Sequence, residues 1–296
     1  MASQHVFMNL MTDFAFKRLF GTKERKHILI TFLNTLFARE GWTVTDVDYH
    51  DKEVLPAYGS NKRVVYDVYC TTPGEKEHII LEMQQLHHDM FENRTVYYAA
   101  RALSSQLSRG DDYDLKPVYT IFLVDFHFGH MSRKGLHDVR LMDTHSHEIY
   151  SNVMRLMFVH LADSKDSWGE CQTEYDKIVF IIKNMHKMNK ESEAYKSGEF
   201  EELFQASELS DMVAEDFVAY SNSERKYYDY LAAVSSAARS AREEALEEGM
   251  EKGMEKGREE ERKDMIRSMY SNGVDINTIA ICSNTSVEDI MEILKG

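Results

Sequence analysis

Two acids set in apolar surroundings are the residues of this sequence whose chemistry first asks for an explanation. Asp67 sits in Val64-Val65-Tyr66-Asp67-Val68-Tyr69-Cys70, and Glu82 in Ile79-Ile80-Leu81-Glu82-Met83-Gln84. Both stretches carry the β-branched, aromatic and aliphatic residues of buried strands. A carboxylate in such a run is costly to bury unless something pairs with it. Side chains alternate along a strand, so Ile79, Leu81 and Met83 fall on one face and Ile80, Glu82 and Gln84 on the other.

Between the stretches lies Thr71-Thr72-Pro73-Gly74-Glu75-Lys76-Glu77, whose Pro-Gly step signals a turn, so the pair reads as a hairpin. Centred between Gly74 and Glu75, the hairpin sets Asp67 opposite Glu82. Centred between Pro73 and Gly74, as a type II turn prefers, it makes them diagonal neighbours. Either register puts both acids on one face, with Cβ atoms about 5 to 8 Å apart. Like charges so placed repel, and a divalent cation between them is the simplest remedy. Hard cations such as Mg²⁺ take carboxylate oxygens and water. Gln84, two residues on, would stand beside such an ion. The competing reading is a plain hairpin with two solvated acids.

Asp67, a turn and then Glu82-Met83-Gln84 resemble the D…E-x-K/Q core of the PD-(D/E)XK nuclease superfamily. The chain is more closely similar to its transposase-associated branch, the recombination-promoting nucleases. The stretches that carry this resemblance run in order: Thr12-Asp13-Phe14-Ala15-Phe16-Lys17-Arg18-Leu19-Phe20-Gly21, the Asp67 strand, Leu81-Glu82-Met83-Gln84, and Arg94 with Tyr98. Arg109-Gly110-Asp111-Asp112-Tyr113 follows, leading into Pro117-Val118-Tyr119-Thr120-Ile121, and then the late Glu248-Gly249-Met250-Glu251-Lys252-Gly253 repeat. The resemblance implies an α/β, restriction-endonuclease-like fold acting on DNA. It implies Mg²⁺, with Mn²⁺ as a substitute, held by Asp67, Glu82 and the Met83 carbonyl, and Asp13 as a further acid near the metal. Position 84 departs from the commoner pattern, being glutamine where lysine is usual, although glutamine is typical of this branch. An amide brings neither a positive charge nor a general base near neutral pH, so Gln84 is left to orient a water by hydrogen bonding.

The elements that must position these groups can be read around them. Apolar residues at helical spacing (Phe16, Leu19, Phe20, then Ile28, Phe32, Leu33, Leu36) predict helices within 12–37, with Thr12 or Asp13 as the cap and Gly21 as the stop. A capping role is the alternative to a metal role for Asp13. Lys17 lies one turn later on the same face, where it could reach a phosphate or simply be solvated. Val44, Val47 and Tyr49 hint at a strand within 42–55. A long helix is expected from just after Gln84 to about Leu107, with Leu86, Met90, Tyr97, Ala100, Leu103 and Leu107 as its apolar stripe. On it Arg94 and Tyr98 share a face, placed to bond DNA phosphates, to orient Gln84, or to stand as an ordinary exposed pair. The nearly unbroken apolar run from Pro117 to Phe126 suits a strand covered on both faces. Further strands are expected at 136–142 and 153–161. Strand, strand, helix, strand is the order of a mixed central sheet flanked by helices.

His127, His130, His137, His145, His147 and His160 raise the question of zinc. Their irregular spacing, with no Cys-x-x-Cys nearby, argues against it. His87-His88 reads as a polar helix start. From Glu174 onward the pattern is helical, giving a C-terminal extension. Residues 1–222 are expected to form the nuclease-like domain, 223–264 a long charged helical connector, and 265–296 a small helix-turn-helix-like module. The segment Val287-Glu288-Asp289-Ile290-Met291-Glu292 is acidic, which suits a protein partner better than a DNA groove. Gly249, Gly253 and Gly257 share one face of the connector, so it is either a solvated spacer or a surface for self-association.

The chain has 296 residues and a net charge of −15, unlike a simple nucleic-acid binder, so DNA contact must use a local basic surface. No apolar run reaches the roughly eighteen residues of a membrane span. Residues 1–5 show no basic region leading into an apolar core, so no signal peptide is expected. Three widely spaced cysteines, Cys70, Cys171 and Cys282, suit a reducing cytoplasm. The expected function is a metal-dependent DNA endonuclease tied to transposition or recombination. The rival is a feebly active nuclease fold serving as a DNA-binding or protein-interaction scaffold. A purely structural helical assembly protein accounts for the tail but not for the buried acids.

Overall fold

The computed structural model describes residues 5–38, 40–51, 53–54, 64–85, 87, 89–108, 110–129 and 135–295. Met1 to Gln4, Arg39, Leu86, His88, Arg109 and His130, which the sequence reading used, lie outside them. The chain divides into two compact units, residues 1–227 and 228–296.

The first unit opens with α1 (Asp13–Phe20) and α2 (Lys26–Phe37). Thr12 caps α1 by accepting from the Ala15 N–H at 3.3 Å, which decides the cap between Thr12 and Asp13. Short strands β1 (Asp48–Tyr49), β2 (Glu53–Val54) and β3 (Val64–Val65) precede the hairpin β4 (Val68–Thr71) and β5 (His78–Gln84). Then come α3 (Phe91–Ser104), β6 (Val118–Val124), β7 (Leu136–Met142) and β8 (Ile149–His160). Among the described residues six strands form one sheet in the order β1-β4-β5-β6-β8-β7. The β5–β6 and β6–β8 pairs are parallel and the rest antiparallel. Helices α4 (Glu174–Asn184), α5 (Glu193–Lys196), α6 (Glu201–Ala206) and the opening of α7 (Ala214–Ser271) complete the unit.

Every residue of β6 is buried, as its unbroken apolar run requires of a strand covered on both sides. On one face Val68, Cys70, Ile79, Leu81, Ile121 and Leu123 pack in one core with residues of α1, α2 and α4. On the other, α3 covers the sheet. Phe91 and Ala99 meet Phe122, Val124 and Phe158, while Ala102 joins a cluster with Tyr66, Ile80 and Val118. The fold is thus the expected mixed sheet flanked by helices, with a helical C-terminal region.

Several local expectations change. The strand expected over 64–70 is broken: β3 leaves to pair with β2, and β4 resumes only at Val68. Helix α3 begins at Phe91, because Met90 takes a left-handed φ of 67°. Its buried stripe is Phe91, Thr95, Ala99 and Ala102, with Met90 and Ala100 exposed. Small residues let the helix lie close on the sheet, which a search for large apolar residues overlooks. Among the described residues between 42 and 55 only the two-residue strands β1 and β2 form, and Val44 and Val47 are buried outside them.

In the second unit the rest of α7 is followed by α8 (Ile276–Ser283) and α9 (Val287–Lys295), packed through Ile266, Ile279 and Ile290. Asn284, with φ 50°, ends α8 and makes the turn into α9. Gly249, Gly253 and Gly257 lie in α7, and nothing stands within 4 Å of where a Cβ on any of them would be. Among the described residues no helix is long and apolar enough to cross a membrane.

Candidate active site

The register of the hairpin places the two acids. Val68 pairs with Leu81, Tyr69 with Ile80 and Cys70 with Ile79, so the next step brings Asp67 opposite Glu82. The turn explains why this register wins over the diagonal one. The Glu75 N–H donates to the Thr72 carbonyl at 2.9 Å around Pro73 and Gly74, the closure a Pro-Gly pair favours. Glu75 itself then turns left-handed, with φ 51°, and the Thr72 N–H reaches the Glu77 carbonyl at 3.0 Å. The loop is one step longer, and its centre falls between Gly74 and Glu75.

Because the chain bends away at Asp67, the sheet ladder stops beside Glu82 and Met83, and side chains take its place. The Asp67 N–H donates to Glu82 Oε1 at 3.1 Å, and the Met83 N–H donates to Asp67 Oδ2 at 3.0 Å. Each acid is therefore held by the backbone beside the other. Glu82 is only 2 % exposed and the Asp67 side chain 18 %. Burial, followed by the charge of Asp67, pushes the Glu82 carboxyl well above the usual carboxylate range. Burial also raises Asp67, against the lowering effect of the Met83 N–H and the Lys17 charge. Two carboxyls that resist ionising together form a site that favours a cation.

Lys17 supplies one. Its ammonium lies 3.3 Å from Asp67 Oδ1 and 2.6 Å from Asp13 Oδ1. Burial lowers the Lys17 pKa, but the contacts with Asp13 and Asp67 outweigh it and the net shift is upward. Asp13 is 68 % exposed and acts here as the partner of Lys17 one helical turn on, not as the cap. The segment before α1 is fixed by Asn9: its side chain accepts from the Met11 N–H at 3.0 Å and its carbonyl from the Thr12 hydroxyl at 2.8 Å. Gln85, just past β5, donates from its amide to the Met11 carbonyl and ties this segment to the acid-bearing strand.

From the α3 side, Arg94 lies over the Tyr98 ring, 5.1 Å from its centroid. The charges of Arg94 and Lys17 both act on Glu82, pulling its pKa down against burial. The Tyr66 hydroxyl donates to the Tyr98 carbonyl at 3.0 Å and locks α3 onto the strand beside Asp67. Gln84 is buried on the same face as Glu82, and its carbonyl accepts from the Asp125 N–H at 2.9 Å. Asp67, Glu82, Lys17, Arg94 and Tyr98 thus converge, with Gln84 one alternation along β5. Sequence reading missed Tyr66 and Gln85. Tyr66 could have been found, since an aromatic residue beside a lone strand acid must bury its hydroxyl against some acceptor. Nothing local marks Gln85.

The pair fits a hard divalent cation: two adjacent carboxylates, both raised by burial, with a side-chain ammonium already drawn to one of them. A six-stranded mixed sheet flanked by helices, with the β4–β5 ladder ending beside Glu82, is consistent with the restriction-endonuclease-like fold. The sequence model of the PD-(D/E)XK nuclease family transposases matches residues 10–237, and the chain belongs to that family. Nucleases of this superfamily generally use divalent metal ions. No curated protein and no solved structure matches the chain significantly.

Proposed function

We propose that the protein is a metal-dependent DNA endonuclease acting in transposition or recombination. The observation that carries this reading is the reciprocal bonding at Asp67, Glu82 and Met83, which sets the buried Glu82 carboxylate beside the half-buried Asp67 carboxylate at the end of β4. Asp67, Glu82 and the Met83 carbonyl would hold Mg²⁺ or Mn²⁺. In a β ladder a residue's N–H and C=O face the same neighbour, so the Met83 carbonyl opens on the edge where its N–H meets Asp67. The bound ion supplies charge neutralisation at the scissile phosphate and a water of lowered pKa.

The chain's own groups do the rest. Lys17 and Arg94 bind phosphate oxygens on either side of the acids, and Tyr98 holds the Arg94 guanidinium in place from below. Gln84 orients the attacking water through its amide. Because an amide takes no proton near neutral pH, the proton leaves to solvent or to a substrate phosphate oxygen. Asp13 keeps Lys17 charged and aimed. Residues 223–264 serve as a connector to the 265–296 module, and copies of the chain associate through this C-terminal helix. Three free cysteines are in keeping with a reducing cytoplasm.

A second reading, a weakly active nuclease fold used as a scaffold, is favoured by Gln84 in place of lysine and by the net charge of −15. Chelator-treated protein incubated with supercoiled plasmid separates the two. Nicking that appears only on adding Mg²⁺ or Mn²⁺ supports the enzyme, and DNA retention without nicking supports the scaffold.

A further inference from the structure

At the carboxyl ends of β6 and β8 the fold gathers a second group of metal-binding side chains. His127 follows β6 by three residues, His160 is the last residue of β8, and Asp163 ends the short turn Leu161–Asp163. His127 is far in sequence from His160 and Asp163, and the irregular spacing of the histidines argued against zinc. The parallel register of β6 and β8, with Val124 beside His160, brings them together. One ligand atom from each lies within 4.8 Å of the other two, the only such set of three or more among the described residues.

Three observations ask for an occupant. His160 is 3 % exposed, yet among the described residues neither ring nitrogen makes a well-formed hydrogen bond beyond a loose approach to the Phe126 backbone, and Asp163 Oδ2 has no partner among them. Buried polar groups without partners are rare and call for a cause. His127 Nε2 stands 3.5 Å from Asp163 Oδ1. That is long for a charge-assisted hydrogen bond, which runs about 2.7–2.9 Å. It matches the spacing of two tetrahedral ligands on zinc, about 3.3–3.5 Å for bonds near 2.0–2.1 Å. Finally, the His160 ring is fixed before anything binds. Phe128 stacks on it at 5.6 Å and His137 meets it edge-on at 5.0 Å.

The geometry points to a transition-metal site for Zn²⁺, built from His127, His160 and Asp163 and separate from the Asp67–Glu82 pair. Two imidazoles and a carboxylate suit zinc, whereas the oxygen-only set at Asp67 and Glu82 suits Mg²⁺. His160 pairs through Val124 with Gln84, on the same face and two strands away, about 10 Å at the usual strand spacing. The ion clasps the ends of β6 and β8 to the turn that follows. Three protein ligands leave a fourth position open. Beside it is a pocket of about 420 Å³ lined by His160, Asp163 and Tyr175. The site does not depend on the chain being a nuclease.

The test uses full-length protein, stripped with chelator and titrated with Zn²⁺ in excess Mg²⁺, which fills the oxygen site. Bound zinc is read by elemental analysis after gel filtration, and geometry by the visible spectrum of the Co²⁺ form. The expected result is a stoichiometric zinc ion with a tetrahedral Co²⁺ spectrum. His127→Gln and Asp163→Asn, both outside the buried core, should each weaken binding at least about tenfold. Circular dichroism checks that they fold. Asp67→Asn should leave zinc binding unchanged. No retained zinc, or binding lost in Asp67→Asn but kept in His127→Gln, overturns the proposal.

Discussion

The backbone N–H of Asp67 donates to the Glu82 carboxylate at 3.1 Å, so the residue that ends the ladder also fixes its acidic neighbour. Asp67 returns the relation by accepting from Met83, the residue after Glu82, at 3.0 Å. The two carboxyls cannot separate without breaking backbone contacts. Their mutual repulsion is therefore built into the folded state.

That repulsion predicts a pH dependence. Both folded pKa values are raised, so the folded state holds more protons than the unfolded one. Without metal, stability then falls as pH rises above the ordinary glutamate value of 4.5 and through the raised folded value. His186 works the other way: burial first, then Lys187, lowers it to about 4, so its contribution is lost as pH falls below 6.5. Comparing variants cancels it. Thermal melts in chelator should show Glu82→Gln gaining on wild type as pH rises from 5 to 8, about 1.4 kcal/mol for each unit of pKa shift. Parallel curves would mean that Glu82 ionises without strain.

Gln84 separates the enzyme from the scaffold. Gln84→Ala removes a contact made mainly in the transition state, which commonly costs about 2 to 4 kcal/mol, or about 10²- to 10³-fold in rate. DNA affinity in Ca²⁺ should barely change. Gln84→Lys, adding a cation beside the scissile phosphate, should raise the rate. Single-turnover cleavage reads both effects.

Lys17 and Arg94 are assigned to phosphates. Lys17→Ala and Arg94→Ala should each weaken DNA binding in Ca²⁺ at low salt. Each should also reduce the slope of log affinity against log salt by about 0.9, one phosphate contact apiece. An unchanged slope would return Lys17 to a purely structural pairing with Asp13 and Asp67.

How far this site could be read in advance differs from residue to residue. The buried run of β6 and the shared face of Ile80, Glu82 and Gln84 follow from local chemistry and were legible, while the cap of α1 was legible only to within a choice of Thr12 or Asp13. The hairpin register was legible to within a choice of two, because the left-handed Glu75 that decides it carries no sequence signal. The break at Asp67 was hidden, since it depends on β3 pairing with the distant β2. The approach of His127 to His160 depends on strand pairing across the sheet, which spacing along the chain does not encode.

The tail predicts a division of labour. The Tyr220 hydroxyl accepts from the Asn9 N–H at 2.9 Å, and Ser223 Oγ accepts from the Phe14 N–H at 3.1 Å. The start of α7 therefore supports the Asp13–Lys17 helix and has to be kept. Truncation after Ala237 spares these contacts and should leave cleavage within about threefold of wild type, since the site rests on the first unit alone. Sedimentation should show the truncated chain losing self-association.

The most direct measurement of the central claim is nicking of supercoiled plasmid by wild type, Asp67→Asn and Glu82→Gln, with Mg²⁺ and with chelator, alongside calorimetric titration of Mg²⁺. Wild type should nick only with the metal, and both variants should lose Mg²⁺ binding and cleavage together while remaining folded. Nicking by wild type that persists in chelator, or Mg²⁺ binding unchanged in Asp67→Asn and Glu82→Gln, would contradict the assignment of these two carboxylates as the metal centre.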